Sequence, residues 1–215
     1  LGPGEQAEVD IYALFTSEIL DVTEGEKVSA LINLSYKSGG DELEKEFVET
    51  ITINNRNALT WDDDRKVCAF VTAKDPSVMR FAKNVSAYIQ GEGSRATNRN
   101  LRQAMALHEA LDIFGISYII DPTTPYEELS QKSSVIDYLQ FPRQTLEFKG
   151  GDCDDLSALY AALLESLGIE TAFITIPGHI YMAFSLGAGP EEARKQFNRP
   201  DNLIFTDVTA WVPVE

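Results

Sequence analysis

The residues best equipped for chemistry lie between positions 140 and 215, and the sharpest of them is Cys153 in the run Gly150-Gly151-Asp152-Cys153-Asp154-Asp155. The helical periodicity that starts at Asp154 puts this cysteine at a helix N-terminus, where unpaired N–H groups and the positive dipole end favour thiolate over thiol. The flanking glycines would let a substrate backbone come close. Three carboxylates beside the sulfur act in the opposite direction, so an activating cation is needed. Two histidines are available. His179 follows the Pro177-Gly178 turn at the start of a strand, which exposes its ring at a sheet end, where it could take the thiol proton and later protonate a leaving amine. His108 sits mid-helix between Leu107 and Leu111, and its expected role is packing or helix surface.

The elements that must carry these groups can be read from periodicity. Residues 8 to 72 read as β structure, with runs at Val9 to Phe15, Lys27 to Tyr36, Phe47 to Ile53 and Val67 to Val71 separated by turn clusters such as Ser38-Gly39-Gly40-Asp41. This predicts a small β-sandwich-like N-terminal domain over residues 1 to 73. At Asp75-Pro76 the period lengthens, which predicts a helix capped by Asp75 that runs to the Gly91-Glu92-Gly93 break. A second helix is expected from about Asn98 to Phe114 with Gly115 as its stop. Prolines at 122 and 125 enforce a loop, and mostly irregular chain is expected from there to Phe148. Asp154 to Leu167 reads as a central buried helix, with Leu156, Leu159, Tyr160, Leu163 and Leu164 on a wide apolar stripe. Strands are expected at Glu170 to Ile176, Ile180 to Leu186 and Leu203 to Val214, the last turning back near Asp207 to Ala210. The fold class predicted is α+β, with the second domain spanning residues 74 to 215.

The composition excludes several functions. The chain has 215 residues, 44% hydrophobic and 24% charged, with a formal net charge of -16. That is an ordinary globular mixture, too acidic and too poor in basic clusters for a general nucleic-acid binder. No stretch approaches the roughly 20 apolar residues of a membrane span, so membrane insertion is not expected. Leu1-Gly2-Pro3-Gly4 lacks the charged and apolar regions of a signal peptide, and the compartment stays open between cytoplasm and a bacterial periplasmic or secreted site. Two cysteines cannot form a disulfide framework or a Cys-rich zinc site. Cys68, inside Val67-Cys68-Ala69-Phe70, reads as core. The acids Asp62-Asp63-Asp64 lack the remaining oxygen ligands of a calcium loop and read as a solvated turn. The sequons at Asn33 and Asn84 fall inside predicted elements and read as chance, while Trp211 and Tyr181 could either line a groove or pack the sheet.

The order of cysteine, then histidine on a strand, then an acid on a later strand resembles the transglutaminase-like superfamily of cysteine enzymes. The residues that carry the resemblance are Pro142-Arg143-Gln144-Thr145-Leu146, Gly150 through Leu156, Leu163-Leu164-Glu165-Ser166-Leu167-Gly168-Ile169, Gly178-His179 and Trp211-Val212-Pro213-Val214. They are similar to the bacterial branch and cover residues 75 to 215. The resemblance implies a papain-like core, a nucleophile helix packed on an antiparallel sheet, and thioester chemistry on a peptide or side-chain amide without a metal cofactor. It implies hydrolysis rather than crosslinking, a protein or peptide substrate, and a catalytic triad of Cys153, His179 and an acid. In many members the acid follows a strand of the Trp-Val-Pro-Leu type, which here points to Glu215, a glutamate in place of the usual aspartate, and Asp207 is the alternative. The oxyanion would be held by the Cys153 N–H and one upstream donor, for which Gln144, Gln140 and Tyr138 are candidates. The superfamily also contains non-catalytic members, so a binding or scaffold module that meets a protein partner through its N-terminal β domain is the second expectation.

Overall fold

The computed structural model describes residues 5–8, 10, 12–89, 98–121 and 135–215. It divides into two compact units, Leu1–Arg56 and Asn57–Glu215.

The first unit is built on one hairpin, β1 (Glu26–Ser38) against β2 (Asp41–Ile53), closed by Gly39-Gly40 with both φ angles positive. That conformation suits the right-handed twist of the flanking strands and is open to glycine. The register places Val28, Ile32, Leu34 and Tyr36 on one face opposite Ile51, Phe47, Lys45 and Leu43. A short 3-10 turn, Ser17–Asp21, precedes it, and the Arg56 N–H donates to the Val22 carbonyl at 2.9 Å.

The expected sandwich does not form among the described residues. Residues 10 and 12–15 are not a strand, and Val9 and Ile11 fall outside the described residues. Val67 to Val71 is not a strand either: Asp63 accepts from the Arg65 N–H and starts a 3-10 helix, Asp64–Phe70. Its three-residue repeat turns Val67 and Phe70 inward and leaves Cys68 exposed, which corrects the expectation that this cysteine is core.

The boundary expected near Ala73 also moves. β3 (Ala58–Thr60) pairs with β5 (Ile136–Tyr138), and Leu59, Trp61, Val67 and Phe70 share an apolar cluster with Leu139, Ala158 and Ile180. Residues 57–73 therefore belong with the second unit.

That second unit mixes helices and sheets around α4 (Cys153–Ser166), where Ala158, Leu159 and Ala161 to Leu164 are fully buried. Its partners include α1 (Pro76–Ile89), α2 (Arg99–Phe114), α3 (Pro142–Phe148) and an antiparallel sheet of order β7-β8-β10-β9. The strands are β7 (Thr171–Ile176), β8 (His179–Ser185), β9 (Ile204–Phe205) and β10 (Ala210–Val214). Asp75 caps α1 through the Ser77 N–H at 2.8 Å, and Asn98 caps α2 through the Leu101 N–H at 3.1 Å. α5 (Pro190–Gln196) crosses between β8 and β9.

The segment expected to be irregular before Phe148 carries order at two places. β5 is held by pairing with β3, and α3 opens with Pro142 at its first position while the Gln144 side chain reaches back to the Phe141 N–H. The prolines at 122 and 125 and the Gly91-Glu92-Gly93 break fall outside the described residues.

Candidate functional site

Cys153 is the first residue of α4 and His179 the first residue of β8. Both line one cavity of ≈ 510 Å³, together with Glu215, which follows β10. The hairpin turn Pro177-Gly178, with Gly178 at φ 79°, ends β7 and begins β8 at the histidine. β10 runs antiparallel to β8 with Val214 opposite Met182, so Glu215 arrives near the imidazole. The Glu215 Oε1 lies 3.3 Å from His179 Nε2. The two atoms are close enough for an ion pair, but the N–H direction is not aligned for a hydrogen bond, and Nε2 has no hydrogen-bond partner among the described residues. With Nε2 on the carboxylate side, Nδ1 is the nitrogen left for a thiol.

Asp207 is placed elsewhere. It sits in the exposed turn between β9 and β10, where the Thr206 N–H donates to the Thr209 carbonyl. Ala210 is opposite Phe205 and the next residue, Trp211, is opposite Ser185, so this turn lies at the far end of β8 from His179. At about 3.3 Å per residue, six residues of strand separate the two ends by roughly 20 Å.

The glutamines named as oxyanion donors are engaged in other bonds. Gln144 is buried, its Oε1 accepts from Asn57 Nδ2 at 2.7 Å and from the Phe141 N–H at 2.8 Å, and its Nε2 faces Asn57 Oδ1 and the Tyr138 hydroxyl at 3.4 Å. This ties α3 to the start of β3. Gln140 donates through Nε2 to Asp155 Oδ2 and to the Gly150 carbonyl, and its N–H donates to Asp155 Oδ1 at 2.7 Å. Neither glutamine lines the cavity that holds Cys153, and neither does Tyr138. Backbone N–H groups of Ile180, Asp154 and Cys153 itself lie close enough to the sulfur to favour its charged form.

The electrostatics at the sulfur differ from those read in the sequence. Burial pushes the Cys153 thiol up to about 11, the Ile180 N–H works against that rise, and the Asp152 charge adds to it. Desolvation therefore outweighs the helix terminus in the resting protein. The two glycines before it are also explained from within. β6 (Gly150–Gly151) pairs in parallel with β4 (Ser117–Tyr118), and a Cβ on Gly151 would stand 2.7 Å from Asp155 Oδ2. They admit protein rather than a substrate backbone.

At the start of α4 lies a buried acid group. Asp152, Asp154 and Asp155 each offer a carboxylate oxygen within 4.8 Å of the others. Burial holds Asp154 well above the usual carboxylate range, with the hydrogen bond to Asp152 and the charges of Asp152, Asp155 and Asp137 adding to it. Asp155 is pushed up to about 7 by burial, against the hydrogen bonds from Gln140. Hard cations bind such oxygen sets, and shared protons satisfy them equally.

Sequence reading missed the outer wall of the cavity, formed by Leu111, Asp112, Ile116 and Tyr118 at the end of α2 and just beyond it. The helical spacing of Leu111 was a signal, but Ile116 and Tyr118 gave none. His108 also lines this wall, edge-on to Tyr160. Tyr181 lines it and stacks on His179 at 5.7 Å, while Trp211 does not line it.

No family model and no curated protein matches the chain. Among solved structures it is similar to one described as a "putative protease" from Parabacteroides distasonis, at 8% identity and a TM-score of 0.35, covering 75% of this chain and 35% of that one. The chain thus spans about a third of that structure's length.

Proposed function

We propose that the Asn57–Glu215 unit is a cysteine hydrolase of the transglutaminase-like, papain-like kind, acting on peptide or side-chain amides. The observation that carries this is the meeting of Cys153, His179 and Glu215 at one cavity, with the carboxylate 3.3 Å from the imidazole. A buried helix that begins at the nucleophile and packs on the antiparallel sheet bearing the histidine supports it.

In this reading His179 Nδ1 takes the thiol proton as sulfur attacks the carbonyl carbon, which avoids a free thiolate that burial makes costly. An S–C bond forms, the carbonyl oxygen takes the negative charge, and backbone N–H groups at the start of α4 stabilise it. The C–N bond then breaks, the amine leaves with the proton from the imidazolium, and a thioester remains. Water, deprotonated by the same imidazole, attacks the thioester and releases a carboxylic acid and the thiol. Glu215 orients the ring and stabilises its charged form. Hydrolysis is the assigned outcome because water needs no second binding site, whereas a crosslinking amine does.

The test is a peptide-library digest by the full chain, read by mass spectrometry, with a fluorescent primary amine in a parallel reaction. Cleavage lost in Cys153→Ala and His179→Ala supports hydrolysis, and amine incorporation would replace it with transamidation. Cleavage that survives Cys153→Ala would sink the assignment.

A second reading, a binding module without turnover, is favoured by the lifted thiol and the unaligned His179–Glu215 pair. It requires unchanged partner binding in Cys153→Ala and no covalent adduct in the parent protein.

A further inference from the structure

The cavity that holds the three residues is mostly apolar. Leu159, Ile180 and Met182 on its lining are essentially buried, and the partly buried Leu111 and Ile116 add to the apolar surface. At ≈ 510 Å³ it falls within the range of about 300 to 1,000 Å³ found for small-molecule sites, far more than attack on a bare carbonyl requires. The lining carries His108, Asp112, Tyr118 and Glu215 at exposed positions and His179 and Tyr181 at partly buried ones; deeper in, Ser157 is buried and the Tyr160 hydroxyl already donates to the Ala104 carbonyl at 2.7 Å. Among the described residues, no lysine or arginine lines the cavity, and the charges it presents, Asp112 and Glu215, are both negative.

We propose that this cavity selects the acyl donor, taking a bulky apolar side chain next to the scissile carbonyl and disfavouring carboxylate and primary-amide side chains. The inference rests on the cysteine-hydrolase reading and names its substrate class. A leucine or phenylalanine side chain gains by leaving water for the Leu159–Met182 wall. A glutamine arm of similar length would trade its water for a wall that offers its amide few partners, an exchange that costs about tenfold or more in affinity. A carboxylate would meet Asp112 and Glu215 at the mouth with no lysine or arginine to pair it.

The experiment uses the full chain carrying Cys68→Ser, so that Cys153 is the sole thiol, and a set of peptidyl vinyl sulfones that differ at the residue beside the electrophile. The thiolate adds to the vinyl carbon β to the sulfone, the one bonded to the variable residue, and the carbon beside the sulfonyl group takes a proton, so each adduct is counted by intact mass. Leucine and phenylalanine probes are expected to react about 10- to 100-fold faster than the glycine probe, with glutamine no faster than glycine and aspartate slowest. Ile116→Trp, which fills the cavity, should bring the leucine-to-glycine ratio to within a few-fold. Asp112→Asn, at the exposed rim, should raise the aspartate rate relative to leucine by a few-fold and serves if the tryptophan variant does not fold. Adducts at Cys153 with a flat profile, or with glutamine or aspartate preferred, would overturn the substrate class and leave the cysteine reading standing. Absence of adduct with every probe would overturn both.

Discussion

Substituting Asp155 by asparagine should remove a large part of the pH dependence of stability in the second unit. The carboxyl is 5% exposed and is pushed from 3.8 to about 7, chiefly by burial. The folded state therefore binds this proton more tightly than the unfolded chain, so the stabilisation is present in acid and is lost as the pH rises from about 4 to about 7. A shift of about 3 units corresponds to about 4 kcal/mol in total, of which about 2 to 3 kcal/mol falls between pH 5 and pH 8. With a urea slope of about 2 kcal/mol/M, that is a fall of about 1 M in the unfolding midpoint across this range. The assay is urea unfolding of the parent and Asp155→Asn at pH 5, 6, 7 and 8, and the difference between the two isolates this group from other carboxylates. The variant should lose ground to the parent at pH 5 and gain on it at pH 8. Gln140 supplies the accommodation: its Oε1 has no hydrogen-bond partner among the described residues, and rotating the amide lets that oxygen accept from the new side chain. Parallel midpoint curves for the two proteins would refute the reasoning and place the Asp155 carboxyl in water.

Other outcomes can be checked alongside. Alkylation of Cys153 by iodoacetamide in a Cys68→Ser background should climb about tenfold per pH unit through pH 9, since the thiol is lifted to about 11; a plateau below pH 8 would mean a preformed thiolate–imidazolium pair. Glu215→Gln should slow acylation of Cys153 by about tenfold or more while Asp207→Asn leaves it unchanged, measured as burst rates, and the reverse pattern would move the acid to the other end of the sheet. Asn57→Ala removes the bonds from Asn57 Nδ2 to the Leu139 carbonyl and to Gln144 Oε1, both at 2.7 Å, and should cost about 2 to 3 kcal/mol in urea unfolding.

The parts of the molecule legible in the sequence were those where one local signal dominates. The Asp75-Pro76 and Asn98 starts, the apolar stripe from Leu156 to Leu164 and the Pro177-Gly178 turn each carry their own physics, and the elements begin and end close to where those signals sit. The segment around Cys68 was misread because a short apolar run does not distinguish a strand from a 3-10 turn, and the Asp63 cap decides it. β3 and β5 escaped because three-residue strands are defined by each other across the chain rather than by their own composition. At the site, the positions of Cys153 and His179 could be read from helix and turn chemistry. The lifted thiol could not, since it depends on how much protein covers the sulfur, and the engagement of Gln140 and Gln144 depends on Asn57 and Asp155 arriving from elsewhere in the chain.

The two-residue turn before His179 leaves no slack. Side chains along β8 alternate between the two faces of its sheet, so one added residue in the turn, if absorbed by sliding the strand, would present the opposite side of every residue that follows. Met182 and Phe184, now in the core, would turn outward, and His179 would change sides with the rest of the strand. The length of this hairpin is thus a fixed dimension for any redesign: graftable as a whole, intolerant of single-residue insertion or deletion.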